Sequence, residues 1–287
     1  MQLQLFGYAC GVGAENIGCE DGPETVHHSS LLAPLQDHFH WQHIYSTDIR
    51  AQKRNALPEI ARICTQLAKD IQQCVQQKLR FLTIGGDHSC GIGTWSGAAC
   101  ALQEKGDLGL IWIDAHLDSH TFSTSPSNNI HGMPVAALLG EGEDALTLIL
   151  SKSPKLKSSN IVIIGVRSYE SEEQRLLKKL GVKIYYVEEI IQRGFSAILN
   201  EAIAIVSKKT AGFGFSLDLD GIDPKDAPGV GSPVKNGLRA IDLLKNLFML
   251  TQHPAFIGAE VAEFNPHLDQ QQKTEQFIVD IIKALVY

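Results

Sequence analysis

The sequence lacks any uninterrupted apolar stretch of the roughly 18 residues that a membrane-spanning helix requires. Residues 1–8 also lack a positively charged leader followed by a long apolar core, so we expect no secretory signal. The six cysteines are scattered, and none forms a Cys-x-x-Cys pair. Cys64 and Cys74 fall on a predicted helix, where we expect them to pack as small apolar residues. A reducing, cytoplasmic setting is the expected location.

The chain also lacks concentrated positive charge. Its 25 Lys and Arg are outnumbered by 32 Asp and Glu, which gives a net charge of -7. A nucleic-acid surface needs clustered Lys and Arg, so we expect no such partner. No repeat, linker or low-complexity segment divides the chain. Because parallel-sheet domains often run to about 250 residues or more, we expect a single domain over residues 1–287.

Short apolar runs alternate with helical patterns along the whole chain. The runs predict eight strands, of which the second is the weakest: Leu3–Tyr8, Trp41–Tyr45, Arg80–Ile84, Leu108–Ile113, Asn160–Ile164, Val182–Tyr186, Phe213–Leu217 and Phe256–Val261. Helical spacing of apolar residues occurs in residues 57–75, Ser171–Leu180, Phe195–Lys208, Ile241–Leu250 and Thr274–Tyr287. Runs this apolar are typical of strands buried on both faces. The alternation predicts an α/β fold, a parallel sheet of about eight strands with helices on both faces.

Polar clusters follow five of these strands, each at its carboxyl end. They are Gly85–Ser89, Asp114–Asp118, Arg167–Glu170, Asp218–Asp220 and Glu263. Open parallel sheets bind their ligands at this edge, so the clusters predict a functional site there. A lone Asp after a strand is more often a turn former or helix cap than a ligand, and we predict such a structural role for Asp87.

Three of the clusters carry residues that bind metals. The candidate ligands are His88, Asp114, His116, Asp118, Asp218 and Asp220. In Asp114–Asp118 the polar residues alternate, so an extended backbone would point all three to one side. Four carboxylates repel one another unless cations neutralise them, and six ligands suffice for two ions rather than one tetrahedral zinc. Carboxylate and imidazole without thiolate favour manganese.

With these motifs the sequence resembles the ureohydrolase family of arginases, agmatinases and formiminoglutamases, and is most similar to arginase. The matching segments are 18–23, 85–89, 114–118, 129–134, 216–224 and 263–266. The resemblance implies the arginase fold with two Mn²⁺ per subunit, and a possible homo-oligomer. It also implies that His88, Asp114, Asp118 and Asp220 are terminal or bridging ligands, with His116 and Asp218 completing the shells. Deacetylases share the fold but use one zinc, and the presence of both His88 and Asp118 favours the two-metal branch.

The resemblance implies hydrolysis of a guanidino group by water activated between the ions. Asp118 would orient this water and accept its proton. His131 would return a proton to the leaving amine, although outside the family such a histidine is more often satisfied within its loop. Glu263 would clamp the substrate cation, where the alternative is a solvated carboxylate at a strand end.

The far end of the substrate decides between family members. The loop from residue 119 to 129 has the length and the donors with which arginases bind an α-carboxylate. The implied substrate-binding residues are His120, Ser125, Ser127, Asn129, Glu170 and Glu263. Arginases commonly have Asn and Asp at the positions of His120 and Glu170. We therefore expect L-arginine, cleaved to L-ornithine and urea, with formiminoglutamate or another guanidino acid as alternatives and agmatine ranked lower.

Two other classes of protein fit the sequence less well. A catalytically silent relative that keeps the fold would have lost metal ligands, and none is lost here. A dinucleotide-binding protein would place a third glycine after Gly11 and Gly13, but Asn16 occupies that position. The sequence therefore predicts an enzyme, a metal-dependent hydrolase of carbon–nitrogen bonds.

Overall fold

One parallel sheet of eight strands runs through the computed structural model, which describes residues 2–15, 17–152 and 154–287. The strands are β1 (Leu3–Ala9), β2 (Phe39–Ser46), β3 (Phe81–Gly85), β4 (Asp107–Ile113), β5 (Leu156–Val166), β6 (Lys183–Tyr186), β7 (Thr210–Asp218) and β8 (Phe256–Ala262). Their spatial order is β2-β1-β3-β8-β7-β4-β5-β6, and every neighbouring pair is parallel. All eight predicted strands are present, and the predicted fold class is confirmed.

Helices connect the strands. In chain order they are α1 (Gly22–His27), α2 (Leu57–Gln76), α3 (Cys90–Leu102), α4 (Pro134–Leu138), α5 (Asp144–Thr147), α6 (Ser171–Leu180), α7 (Val187–Arg193), α8 (Phe195–Ser207), α9 (Ala240–Asn246), α10 (Phe248–Thr251) and α11 (Lys273–Val286). The single helix predicted over Ile241–Leu250 is instead two helices that meet at Leu247. Here the Asn246 side chain donates to the carbonyl of Asp242 and so satisfies a group at the end of α9.

The strands bury side chains on both faces because successive residues point to opposite sides of the sheet. On β3, Leu82 and Ile84 join one apolar core, and Phe81 joins the other. On β4, Ile111 and Trp112 divide in the same way. The first core is covered mainly by α8, α9 and α11, and the second by α2 and α3. This double burial explains why the strands are apolar at nearly every position.

Helix α3 packs on α2 at very short range through two glycines. A Cβ on Gly93 would lie 2.8 Å from the carbonyl oxygen of Cys64, and one on Gly97 would lie 2.3 Å from that of Ala68. Both distances are too short for a real side chain, so the two backbones touch. This contact fixes α3, which begins only two residues after His88, against α2.

No single helix in the described ranges is both long and apolar enough to cross a membrane. Helices α7 and α8 pass that test only as a pair, and they are bent by 113° where they join. Asn16, which departs from the dinucleotide-binding motif, lies outside the described residues. The domain bounds of 1–287 stay a prediction.

Candidate metal centre and active site

The loop after β3 places His88 at the carboxyl edge of the sheet. Gly86 allows this path because a Cβ there would lie 2.2 Å from the carbonyl oxygen of Cys10. The His88 ring is fully buried and stacks on Trp112, with 4.2 Å between ring centroids and 16° between planes. The neighbouring Asp87 accepts from the backbone N–H of Gly13 at 2.8 Å and of Ser89 at 2.9 Å. Asp87 thus joins the loop after β1 to the loop after β3, in agreement with its predicted structural role.

The segment after β4 directs three side chains into one region, although its backbone is not extended as the sequence pattern predicted. Asp118 has φ 46°, a left-handed conformation that few residues other than glycine adopt. Asp114 is held at both oxygens, by the Trp112 indole N–H at 2.9 Å and the backbone N–H of His116 at 2.7 Å. A turn therefore produces the convergence of Asp114, His116 and Asp118.

The loop after β7 contributes Asp218 and Asp220. The backbone N–H of Asp220 donates to Asp218 at 2.9 Å, and that of Ala115 donates to Asp220 at 3.3 Å. Arg167, from the loop after β5, donates to the backbone carbonyl of Asp220 at 2.6 Å and of Gly221 at 3.3 Å. Arg167 therefore holds the loop that carries the two carboxylates, a supporting role that the sequence did not reveal.

Two adjoining groups of potential ligands result. The His88 cluster consists of His88, Asp114, Asp118 and Asp218, and the His116 cluster consists of Asp114, His116 and Asp220. In each cluster the potential ligand atoms all lie within 4.8 Å of one another. Asp114 belongs to both, with Oδ2 3.6 Å from Nδ1 of His88 and Oδ1 3.4 Å from Nδ1 of His116. All six predicted metal-ligand side chains are thus brought together, and one carboxylate joins the two clusters.

The remaining distances in the clusters are equally short. Nδ1 of His88 lies 3.0 Å from Asp218 and 3.1 Å from Asp118. Nδ1 of His116 lies 3.2 Å from Asp220. Both imidazoles therefore present Nδ1 to carboxylate oxygens. This is the arrangement expected if each cluster surrounds one cation.

The buried carboxylates of the two clusters repel one another, so a cation bound among them would be stabilised. Burial, reinforced by the charge of Asp114, raises the pKa of Asp118 to about 7. Burial opposes a charge on His116, yet the carboxylate of Asp220 raises the pKa of that imidazole well above its usual value. Among the described residues, the buried Oδ2 of Asp118 forms no hydrogen bond, although Nδ1 of His88 lies 3.1 Å from it. Divalent ions fit this donor set, because they neutralise buried carboxylates and the site offers oxygen and nitrogen but no thiolate.

His131 and Glu263 form a pair beside the His88 cluster. Nδ1 of His131 lies 3.0 Å from Oε1 of Glu263, and the same oxygen accepts from the backbone N–H of His88 at 2.9 Å. Although burial opposes its charge, His131 has its pKa raised to about 9 by the Glu263 carboxylate. Glu263 is buried, not solvated, and its φ of 69° places it in the left-handed region. A strained, buried carboxylate at this point is typical of a functional position.

A cleft of about 190 Å³ opens above both clusters. It is lined by His116, Asp118, His120, Pro126, Ser127, His131, Gly132, Glu170, Glu173, Asp218, Asp220 and Ser232. A larger groove, of about 560 Å³, lies between α9 and α11, but no group of potential metal ligands occurs there in the described parts of the chain. The chemistry therefore belongs to the smaller cleft.

Of the six predicted substrate-binding residues, Glu263 is buried beside His131 and is not among the residues that line the cleft, and the other five divide into two groups. His120, Ser127 and Glu170 line the cleft. Ser125 and Asn129 do not: the Ser125 hydroxyl accepts from the backbone N–H of Asn128 at 2.9 Å, and the backbone N–H of Asn129 donates to Ser127 at 3.2 Å. These two residues shape the loop in the structure.

His120, Glu170 and Glu173 meet at the cleft wall. Nε2 of His120 lies 3.2 Å from Glu170 and 3.5 Å from Glu173. The two glutamates form a reciprocal capping box at the start of α6, and Glu173 also accepts from the backbone N–H of Ser119 at 3.1 Å. Glu173 was not predicted from the sequence, although its position three residues after Glu170 at the start of an apolar helical pattern is the signal for such a cap.

Comparison with known proteins decides the family. The family model described as "Arginase family" matches residues 1–287. The chain belongs to the arginase family. It is 37% identical to the arginase of Bacillus caldovelox over 99% of this chain and 97% of that protein. The arginase of Brevibacillus brevis is 36% identical, with the same coverage of both chains.

The arginase-family fold extends over the entire chain. The crystal structure of arginase from Bacillus subtilis superposes with a TM-score of 0.90 at 35% identity, covering 100% of this chain and 98% of that one. The resemblance inferred from the motifs is therefore confirmed, as is the prediction of a hydrolase of this family.

Proposed function

We propose that the chain is a two-metal ureohydrolase that cleaves L-arginine to L-ornithine and urea. One observation carries the proposal: two groups of imidazole and carboxylate ligands share the buried Asp114, and members of both groups line a small cleft. The relatives described above carry the name arginase, and they match almost the full length of the chain. We extend that activity to this protein.

Two Mn²⁺ ions would be held by the His88 and His116 clusters. Bound there, such ions would lower the pKa of a water molecule from 15.7 to about 7 and so make it nucleophilic at neutral pH. The all-oxygen-and-nitrogen donor set supports manganese over zinc. The buried carboxylates, whose charges burial disfavours, support the count of two ions.

The protein's own groups position the reactants and move protons. Asp118 lies on the cleft side of the His88 cluster, where it can orient the attacking water and accept its proton. Oε1 of Glu263 is held by His88 and His131, and we propose that its other oxygen pairs with the substrate guanidinium. His131, charged near neutrality, would donate a proton to the departing amine.

The cleft wall would recognise the far end of the substrate. Ser127 and His120 can donate hydrogen bonds to an α-carboxylate, and Glu170 can accept from an α-amino group. The His120–Glu170 contact of 3.2 Å must open or adjust when such a substrate enters. We therefore propose that Ser125 and Asn129 support the loop, whereas His120, Ser127 and Glu170 touch the substrate.

The test measures product release from four candidate substrates. Metal-stripped protein is reconstituted with Mn²⁺, and urea is measured from L-arginine, agmatine and guanidinobutyrate, and formamide from formiminoglutamate. We expect urea from arginine with the manganese form and at least a hundred-fold less with the stripped form. Turnover of agmatine or formiminoglutamate without turnover of arginine would replace the substrate. Equal rates with and without metal would end the two-metal proposal.

The proposal extends to the setting of the enzyme. All six cysteines are free and buried, which supports a reducing, cytoplasmic location. The net negative charge supports a small-molecule substrate rather than a nucleic acid or an anionic membrane surface. A homo-oligomer is part of the proposal, and size-exclusion chromatography with light scattering tests it.

A further inference from the structure

A carboxyl group without an assigned role lies inside the sheet. Glu260 is on β8, in register with Thr83 on β3 and Ser216 on β7, and its exposed fraction is 0%. A carboxyl group in such a position loses its hydration and is costly unless its oxygens find donors. Glu260 belongs to neither cluster of proposed metal ligands, so its presence at the centre of the core needs a reason.

Hydrogen bonds connect Glu260 with His88, one of the proposed metal ligands. The Cys90 thiol lies 2.9 Å from Oε1, and the Ser216 hydroxyl donates to Oε2 at 3.3 Å. Nε2 of His88 lies 3.0 Å from the Ser216 hydroxyl oxygen and 3.4 Å from Oε1 of Glu260. The two hydrogen bonds that connect the imidazole to the carboxyl group therefore pass through the serine hydroxyl, and the direct approach of Nε2 to Oε1 is longer than either the Nε2–hydroxyl or the hydroxyl–Oε2 distance.

The His88 ring has a different task for each nitrogen. Nδ1 faces Asp114, Asp118 and Asp218, so this atom must carry the lone pair if the ring binds a cation. A neutral imidazole has one N–H, which must then be on Nε2. The Ser216 hydroxyl oxygen can accept from the Nε2–H only if its own O–H donates to another group. Glu260 is the acceptor of that O–H.

We propose that Glu260 positions His88 for metal binding. Through Ser216 it keeps the proton on Nε2 and the lone pair on Nδ1, while Trp112 restrains the plane of the ring. Glu260 is thus a positioning residue that sets the affinity of the His88 cluster for its ion. The proposal rests on the two-metal centre proposed above and adds a residue behind it.

The test is the substitution Glu260→Gln, read out as metal affinity. An amide can donate to the Ser216 hydroxyl, which frees that hydroxyl to donate to Nε2 and places the imidazole proton on Nδ1. We expect Mn²⁺ titration of the stripped protein, followed by calorimetry, to show one site weakened about 10- to 100-fold. At two equivalents of Mn²⁺, the electron paramagnetic resonance signal of a coupled ion pair should give way to that of isolated ions.

Two further variants separate positioning from general damage to the core. Ser216→Ala removes the relay and should weaken the same site. Thr83→Val is the matched control, because Thr83 pairs with Glu260 in the sheet but its hydroxyl contacts Thr94 instead. It should leave both affinities within about three-fold. Thermal unfolding of each stripped variant verifies that it is folded.

The outcomes distinguish this inference from the proposed function. If the unsubstituted protein binds fewer than two ions, the two-metal proposal fails and takes the inference with it. If that protein binds two ions and Glu260→Gln binds them equally well, Glu260 has no positioning role and the proposed function stands. A loss of affinity in Thr83→Val equal to that in Glu260→Gln would also overturn the inference, because it would indicate general disruption of the core.

Discussion

At the scale of single residues, His131 offers the sharpest test of the proton transfer. His131→Asn keeps a polar side chain that can reach Glu263 but cannot carry a proton. We expect kcat for arginine to fall by about 10²- to 10⁴-fold, which is the usual contribution of a general acid, with KM changed little. Steady-state urea production measures both. His43→Asn, on the exposed edge of the sheet, is the control; a similar loss there, or none in His131→Asn, would contradict the role.

Glu170 tests recognition of the substrate's far end. Glu170→Gln retains an oxygen for the cap of α6 but removes the charge that would meet an α-amino group. A hydrogen bond to a charged group contributes about 1.5–3 kcal/mol, so we expect KM for arginine to rise at least ten-fold while kcat stays within about three-fold. Glu172→Gln, a partly exposed carboxylate in the same helix turn that does not line the cleft, should behave like the unsubstituted protein. An unchanged KM in Glu170→Gln would remove this residue from the substrate site.

At the scale of elements, the contact between α2 and α3 supports the loop that carries His88. Gly97→Ala would normally stabilise a helix by about 1 kcal/mol. Here the new methyl group would meet the backbone of Ala68, so we expect the free energy of unfolding to fall by about 1–3 kcal/mol. Urea denaturation measures the change, and its sign is the diagnostic. A more stable variant would mean that the helices separate without cost.

The elements also show how far the sequence predicts this structure. The inner strands were predictable because they are apolar on both faces, whereas the border strand β2 is largely exposed and gave the weakest pattern. The ligand residues were predictable because they follow strand ends. Helix α3 was missed because it is buried all round, so it has no polar face and no amphipathic period. Its three glycines, Gly91, Gly93 and Gly97, gave no helical signal either.

Other features of the site depend on tertiary structure and leave no local trace. The left-handed backbone at Asp118 and Glu263 costs about 1–3 kcal/mol per residue and is imposed by the surrounding loops. Glu260 stands in an otherwise apolar strand, and its connection to His88 exists only once β7 and β8 are paired. Pairing of His120 with Glu170 likewise joins loops 50 residues apart.

At the scale of the whole molecule, proton uptake by the metal-free site links stability to pH. Burial raises the pKa of Asp118 from 3.8 to about 7 and that of Glu173 from 4.5 to about 8. Between these values the folded chain holds protons that the unfolded chain has released. Stability must therefore fall as pH rises through this window. The raised pKa values of His88 and His116 act in the same direction above pH 6.5.

We expect the thermal midpoint of the chelator-treated protein to decrease from pH 5 to pH 8. Asp114 and Glu263, whose pKa values are lowered, contribute with the opposite sign, but only below the ordinary range of carboxyl groups near pH 4. Mn²⁺ should reduce the decrease, because ions replace the protons and bind only the folded state. Calorimetric scans with chelator and with Mn²⁺ measure the difference. A midpoint that rises with pH in the chelated protein would contradict the charge balance described here.

The strand order has a consequence for how the protein fluctuates. Loops from β3, β8, β7 and β4, the four innermost strands, carry the acidic and imidazole groups, while β2 and β6 form the outer borders. Borders of a sheet fray at little cost, whereas its middle opens only with global unfolding. Partial opening would therefore leave the ions in place, and amide hydrogen exchange should be slowest in the strands that precede those loops.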